Sequence, residues 1–234
     1  MIDTQLILIE GPPGSGKTTT ARALAAKISR YGKSCQYFLE WGTDNPISIG
    51  DDAVLGEVIA SSILREQEVR RMWQQFVQNR QSDKRETVSI MESRFWQTSV
   101  MLMYAAGHSV EDVLESNQQI IDIIQDLKPV LIYFTVDDLR AFFRRTFQVK
   151  DEEWRQAGNK GSWTQHVLAA LEPQEWFTRR DLTGFEGTIK FFEEWTQIAE
   201  ELYDRLAFPK VKVRNPHADW SLAMQEISNF LEVT

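Results

Sequence analysis

Short apolar runs alternate along this chain with longer segments in which apolar residues recur at helical spacing. Five runs have the length and the branched or aromatic side chains that are typical of buried strands, and these are Leu6–Ile9, Cys35–Leu39, Val88–Met91, Val130–Thr135 and Val211–Val213. Because strands that alternate with helices pair in parallel through right-handed crossovers, the pattern predicts an α/β domain of three layers around a five-stranded parallel sheet.

Helical periodicity fills the intervals between the strands. The predicted helices are Thr18–Ser29, Ala53–Gln78, Phe95–Ala106, Val110–Leu127, Leu139–Gln156, Gly187–Leu206 and Trp220–Leu231. Gly32 is suited to a left-handed cap after the first helix, and Pro129 ends the fourth. Ligands of such sheets bind beyond the carboxyl ends of the strands, so the residues at those ends are the candidates for function.

The bulk composition narrows the classes of partner. The 234 residues suit one well-packed domain, and the formal net charge of −8 argues against a nucleic-acid or an anionic-membrane partner. Since Cys35 is the single cysteine, an intramolecular disulfide is impossible, and a small apolar role is the expectation for it. No cationic leader precedes the first strand, so we expect a cytoplasmic protein.

A complete G-x-x-x-x-G-K-[ST] phosphate-binding loop follows the first strand and opens the first helix. The glycines let backbone N–H groups converge on phosphate oxygens, and the helix N-terminus adds positive partial charge. Lys17 can reach the β- and γ-phosphates, and the Thr18 hydroxyl can hold Mg²⁺. The predicted nucleotide contacts are Gly11, Pro12, Pro13, Gly14, Ser15, Gly16, Lys17, Thr18 and Thr19.

Acidic residues end three further strands. Glu40 and Glu92 each follow a strongly apolar run, where a carboxylate can hold metal or accept a proton from a substrate hydroxyl. Arg94, two residues beyond Glu92, suits an anionic substrate or the orientation of a carboxylate. Asp138 stands at the start of a helix, which favours a capping role for it.

A basic helix and several aromatic residues adjoin these strand ends. Arg140 and Arg144 share a helix face with Arg145 beside them, and such a helix can close over the transferring phosphoryl group. The aromatic residues next to the carboxylates, on which a flat acceptor can stack, are Trp41, Phe95 and Trp96. The spacing of Arg179 and Arg180 assigns them neither to the site nor to the surface.

The combination resembles the P-loop kinase group, near the thymidylate kinases and deoxynucleoside kinases. Glu92-Ser93-Arg94 is similar to the acidic-x-Arg motif that ends the third strand there, although thymidylate kinases usually carry aspartate at the acidic position. Glu40 resembles the glutamate that serves as general base in deoxynucleoside kinases. The lid arginines of the group have their counterparts in Arg140, Arg144 and Arg145.

The resemblance implies one P-loop kinase-like domain over residues 1–234, in which 51–87 and 140–187 are the acceptor-binding and lid insertions. It implies ATP as phosphate donor, with Mg²⁺ held by Thr18 and Glu92. The implied acceptor is a small molecule, with a nucleoside or nucleotide first among the choices. A homodimer is the assembly that such kinases often form.

Two other classes of function stay open. A switch or motor would hydrolyse nucleotide without an acceptor, and a motor of the AAA type could use Val130–Asp138 as a strand followed by an acidic pair. The base-reading motif of GTPases is not present, because Asn159-Lys160 is followed by Gly161-Ser162. A regulatory module would hold nucleotide without chemistry, but it has no use for Lys17, Thr18 and the strand-end acids.

Overall fold

A computed structural model of the chain describes residues 2–40, 42, 44–47, 62–83, 85 and 87–233. The strands are β1 (Leu6–Glu10), β2 (Cys35–Phe38), β3 (Val88–Glu92), β4 (Val130–Thr135) and β5 (Lys210–Arg214). They form one parallel sheet of five strands in the order β2-β3-β1-β4-β5. The predicted fold class, a three-layer α/β P-loop domain, is confirmed.

Helices cover both faces of this sheet. They are α1 (Lys17–Arg30), α2 (Ser62–Gln81), α3 (Met101–Ala105), α4 (Val110–Ile124), α5 (Leu139–Gln156), α6 (Trp163–Leu171), α7 (Glu175–Thr178), α8 (Gly184–Arg205) and α9 (Trp220–Phe230), with a 3₁₀ turn at Gln125–Leu127. Asp138 caps α5 as predicted, by accepting a 2.9 Å bond from the N–H of Ala141. Gly32 follows α1 with a φ of +76°, as a left-handed cap requires.

Alternation along the strands divides the core into two layers. In β1, the side chains of Leu6 and Leu8 join the core on the side of α2, α4 and α8, whereas Ile7 and Ile9 join the core under α1 and α9. All five residues of β1 are buried, so its apolar run is continuous rather than alternating. Full burial of each such aliphatic side chain contributes about 1.5–3 kcal/mol to the stability of the fold, so β1 holds the start of the following loop in place.

The structure differs from the helical predictions most clearly at three places. Residues 93–100 form turns, and the helix predicted over Phe95–Ala106 is confined to Met101–Ala105. The first part of the helix predicted over Ala53–Gln78 lies outside the described residues, and α2 continues to Gln81. Between residues 157 and 183, α6 and α7 appear where no helix was predicted. None of the helices in the described ranges combines the length and the apolarity that a membrane span requires.

Candidate active site

The loop between β1 and α1 has the backbone that phosphate binding needs. Gly11, Gly14 and Gly16 have φ values of +145°, +84° and +94°, a region that other L-residues rarely adopt. A Cβ at Gly11 would lie 2.8 Å from the Cβ and carbonyl oxygen of Phe134 in β4. The loop therefore lies against the neighbouring strand as closely as a glycine allows, and α1 begins directly after it.

Lys17 lies under the loop rather than in solvent. Its side chain is 4% exposed, and its ammonium donates to the carbonyl oxygens of Gly11 and Pro12 at 2.8 and 3.1 Å. These contacts hold the positive charge at the inner side of the loop, where the predicted phosphate contacts converge. Ser15 adds a buried hydroxyl for which the described part of the chain supplies no hydrogen-bond partner.

Thr18 and Glu92 meet because β3 is the direct neighbour of β1 in the sheet. The Thr18 hydroxyl donates to Oε1 of Glu92 at 2.7 Å. Glu92 is 3% exposed, and its other oxygen, Oε2, is buried without a hydrogen-bond partner among the described residues. A buried carboxylate oxygen with no protein donor fits a cation ligand, so the two residues predicted to hold metal are together and suited to it.

Glu40 lies at the end of β2, on the far side of β3 from the loop. Its Oε1 accepts a 2.7 Å bond from Nε2 of Gln97, and its backbone carbonyl accepts a bond from Arg94. Desolvation raises the pKa of the Glu40 carboxyl, and the negative charge of Glu92 raises it further, while the positive charges of Lys17 and Arg94 oppose both effects. The structure thus brings the predicted carboxylates, Lys17 and Arg94 to one edge of the sheet.

Glu10 is a site residue that the sequence reasoning did not find. It ends β1 with 1% exposure, and its carboxylate accepts bonds from the backbone N–H groups of Phe95, Trp96 and Gln97 at 2.8, 3.0 and 3.2 Å. Burial raises its pKa to about 7, against the lowering effects of those N–H groups and of Lys17. The available signal was a charged residue that continues an otherwise apolar strand directly before the phosphate loop.

The three predicted lid arginines lie on α5, whose Thr146 packs against Gly14 of the loop. Arg140 pairs with Glu186 of α8, at 2.6 Å to both carboxylate oxygens. The guanidinium of Arg144 lies 5.7 Å from the ring centroid of Phe185. Arg145 is exposed beside Thr146.

The predicted acceptor aromatics belong largely to the core. Phe95 and Trp96 are 0% and 1% exposed and stack on each other, and Trp96 also meets Tyr133 at 5.1 Å between ring centroids. Trp96 still lines a cavity of about 20 Å³ beside Glu10, with room for about one water molecule. Trp41 lies outside the described residues.

The second arginine pair directly follows α7. Arg179 pairs with Glu175, and Arg180 lies over the ring of Trp176 at 4.5 Å. Both arginines thus have surface contacts of their own in α7. Nothing in these contacts links them to the loop.

Over residues 7–161, the sequence matches the profile of the ATPase family associated with various cellular activities (AAA). The chain belongs to the AAA family. The matched range contains β1, the phosphate loop, β3 and β4, so the predicted P-loop group and the binding of nucleotide are confirmed. No curated protein matches the sequence of this AAA chain.

Several solved structures are similar to this AAA chain along most of its length. YorR of Bacillus subtilis, in complex with phosphorylated GDP, is 15% identical, with 97% of this chain and 96% of that chain covered and a TM-score of 0.50. Deoxyadenosine kinase of M. mycoides with bound dATP gives 14% identity, coverage of 97% and 99%, and a TM-score of 0.44. Thymidylate kinase of Candida albicans is 16% identical, with 99% of this chain and 93% of that chain covered and a TM-score of 0.49. At such identities the likeness concerns the fold.

In this AAA chain, replacing Gly14 with alanine is expected to damage nucleotide binding more than stability alone would explain. The new Cβ would lie 2.5 Å from Cγ2 of Thr146, in addition to the left-handed strain of about 1–2 kcal/mol. Either the loop or α5 must shift, so we expect the affinity for a fluorescent ATP analogue to fall at least tenfold.

The matched control for that variant is Gly158→Ala. Gly158 has a similar φ of +79°, but a Cβ there meets nothing within 4 Å. Denaturant unfolding should show a loss of about 1 kcal/mol for this control, with unchanged nucleotide affinity. Equal affinities for the two variants would contradict the close contact between the loop and α5.

Proposed function

We propose that this protein is a phosphotransferase that moves the γ-phosphate of ATP to a hydroxyl or phosphate of a small molecule, with nucleosides and nucleotides as the first candidates. The observation that carries the proposal is the position of Glu40. Its carboxyl lies at the strand edge that also carries Lys17, Glu92 and Arg94, and their charges act on it. Apart from the metal-binding Glu92, it is the carboxylate that could accept the proton of an acceptor hydroxyl.

Glu40 supplies the base for an acceptor hydroxyl. Because burial raises the pKa of its carboxyl, the carboxylate is a stronger base than a solvated glutamate, and it gains when a proton moves onto it. The Gln97 amide donates to one oxygen of this carboxylate and so fixes its orientation at the end of β2. Arg94, bound to the Glu40 backbone, fixes the end of β2 beside β3.

Glu92 and Thr18 are the residues that would hold Mg²⁺. Bound there with the nucleotide, Mg²⁺ would neutralise charge on the transferring phosphoryl group. The protein side of that site is one carboxylate oxygen with no donor among the described residues and one hydroxyl that the same carboxylate orients. Magnesium sites built from one or two carboxylates and substrate phosphates are common.

The α5 arginines divide between two tasks in this proposal. Arg140 and Arg144 secure α5 to α8 through Glu186 and Phe185. Arg145 is exposed on the part of α5 that carries Thr146 against the loop, so it is the arginine best placed to approach the phosphates. Residues 140–187 then form the lid, and 51–87 the acceptor-binding insertion, of one domain over residues 1–234.

A second candidate is an ATPase that hydrolyses nucleotide without an acceptor, and the AAA family match favours it. A motor of this kind would use the acidic pair that follows β4. Here Asp138 caps α5, and Asp137 is exposed and pairs with Arg214 at 2.8 Å. Both carboxylates are therefore engaged with partners of their own beyond the carboxyl end of β4, whereas Glu92 meets Thr18. This arrangement favours the transferase.

The test is transfer of labelled γ-phosphate from ATP to a panel of nucleosides, nucleotides, sugars and antibiotics. A labelled product that Lys17→Ala does not form would establish a kinase and name its acceptor class. Brisk hydrolysis with no product on any acceptor would overturn the proposal in favour of the ATPase.

Replacing Glu92 with glutamine is expected to raise the Mg²⁺ concentration that gives half-maximal turnover by about tenfold or more. The glutamine amide keeps an acceptor for the Thr18 hydroxyl but lacks the carboxylate charge and the second acceptor oxygen. The measurement is a magnesium titration of ADP release, with Glu226→Gln on the exposed side of α9 as the control. If the Mg²⁺ titrations of Glu92→Gln and the wild type coincided, Glu92 would not be a metal ligand.

A further inference from the structure

One carboxylate holds three consecutive backbone N–H groups next to the phosphate loop. Oε1 of Glu10 accepts from Phe95 and Trp96, and Oε2 accepts from Gln97. These N–H groups belong to the turn that follows β3, so Glu10 ties the end of β1 to the residues that follow Glu92. A neutral side chain of the same shape has only one acceptor and cannot satisfy both sets of donors.

Gln97 extends this contact to the next strand. Its backbone N–H binds Glu10, and its side-chain Nε2 donates to Glu40 at 2.7 Å. Its Oε1 is buried and has no hydrogen-bond partner in the described part of the chain, so Glu40 is the protein contact that orients the amide. Glu10, Gln97 and Glu40 therefore form a connected row across the carboxyl ends of β1, β3 and β2.

We propose that Glu10 is a positioning residue that, through Gln97, holds the carboxyl of Glu40 in place for the acceptor. The proposal rests on the proposed function, because it takes Glu40 as the base. Glu10 touches neither nucleotide nor acceptor in this scheme. Its two oxygens fix the turn at 95–97, and the turn fixes the direction of the Gln97 amide.

The ionised form of Glu10 is the one that can do this. Protonation of Oε2 adds an O–H donor and makes this oxygen a poorer acceptor, so its bond from the N–H of Gln97 weakens. When glutamine replaces Glu10, an NH₂ group takes the place of one oxygen and that acceptor is lost. The charged and titratable groups that face Glu10 are Lys17 of α1 and Tyr133 of β4, with Glu200 of α8 acting on Tyr133. Lys17 favours the ionised form, and burial opposes it.

The pH dependence has a definite sign. The pKa of Glu10 rises on folding from 4.5 to about 7, so the folded protein binds more protons between these values and Glu10 contributes less stability as pH rises. Above pH 7 the ionised carboxylate holds the turn. Amide exchange of residues 94–99 should then be slower in the wild type than in Glu10→Gln, and this difference should vanish at pH 5.

A double-mutant cycle with Gln97→Ala separates positioning from general damage. Turnover is measured as ADP release with the labelled acceptor panel present, which registers both transfer and hydrolysis. Each single variant should lower kcat about tenfold, with the affinity for ATP within twofold of the wild type. The double variant should be about tenfold slower, not a hundredfold, because both changes break one row.

Asp112→Asn is the control for the loss of a carboxylate that accepts a backbone N–H. Asp112 accepts a bond from the N–H of Ser109 at the start of α4 and takes no part in the row of Glu10, Gln97 and Glu40, so this variant should keep wild-type turnover. Losses that multiply in the double variant, or an unchanged kcat in Glu10→Gln, would overturn the positioning role. ADP release without any phosphorylated acceptor would instead mark the failure of the proposed function, and the amide exchange of residues 94–99 would then still show whether Glu10 holds the turn.

Discussion

Replacing Lys17 with alanine is expected to lower turnover by a factor of about 10²–10³ or more, in line with the loss of one preorganised charge donor. The Lys17 ammonium lies under the loop, 2.8 Å from the carbonyl oxygen of Gly11, so its charge is held among the predicted phosphate contacts. ADP release at saturating ATP, with circular dichroism as a check of folding, measures the effect.

The control for this variant is Arg22→Ala. Arg22 is an exposed cation on α1, one turn beyond the loop, so its removal changes the net charge by the same amount. It should leave turnover within about twofold, since surface substitutions of this kind have small effects. Turnover of Lys17→Ala at the level of this control would refute the assignment of the loop to catalysis.

Replacing Glu40 with glutamine is expected to lower transfer to the acceptor by about 10²–10⁴, the usual contribution of a positioned general base. Hydrolysis without acceptor should change little, because Lys17, Thr18 and Glu92 remain. Since burial raises the pKa of Glu40, wild-type transfer should increase as pH rises through that value, and the variant should lose this limb of the profile. Rates of both reactions between pH 5 and 9 provide the measurement.

Glu226→Gln again serves as the control, because it removes one exposed carboxylate on α9. If Glu40→Gln and this control gave the same transfer rate, Glu40 would not be the base. If Glu40→Gln slowed hydrolysis and transfer equally, the residue would support the nucleotide site rather than the acceptor.

The centre of the sheet was predictable because β1 and β4 are nearly continuous apolar runs. A short apolar run buried on both faces, as in Leu6–Glu10 and Val130–Thr135, is typical of a central strand of a parallel sheet. The spacing of the glycines identifies the phosphate-binding loop directly from the sequence. The same logic located Glu40 and Glu92, because parallel strands bring their carboxyl ends to one edge. An acidic residue directly after an apolar run was enough to predict that both carboxylates lie at this edge.

The turn after β3 was not predictable from local pattern. Helical spacing favoured a helix from Phe95, but the first N–H groups of that segment donate to Glu10, a residue distant in sequence.

The different contacts of the α5 arginines were not predictable for a similar reason. Arg140 and Arg144 are directed by Glu186 and Phe185 of α8, and a helix-face argument that considers α5 alone contains neither partner.

The most direct test of the account is the ratio of phosphorylated acceptor to ADP, measured with the acceptor that the labelled panel identifies and with ATP in limited supply. A phosphotransferase with Glu40 as base should form about one phosphorylated acceptor for each ADP and release ADP slowly when the acceptor is left out. ADP release at the same rate with and without acceptor, and no phosphorylated product, would contradict the central claim and make the protein an ATPase.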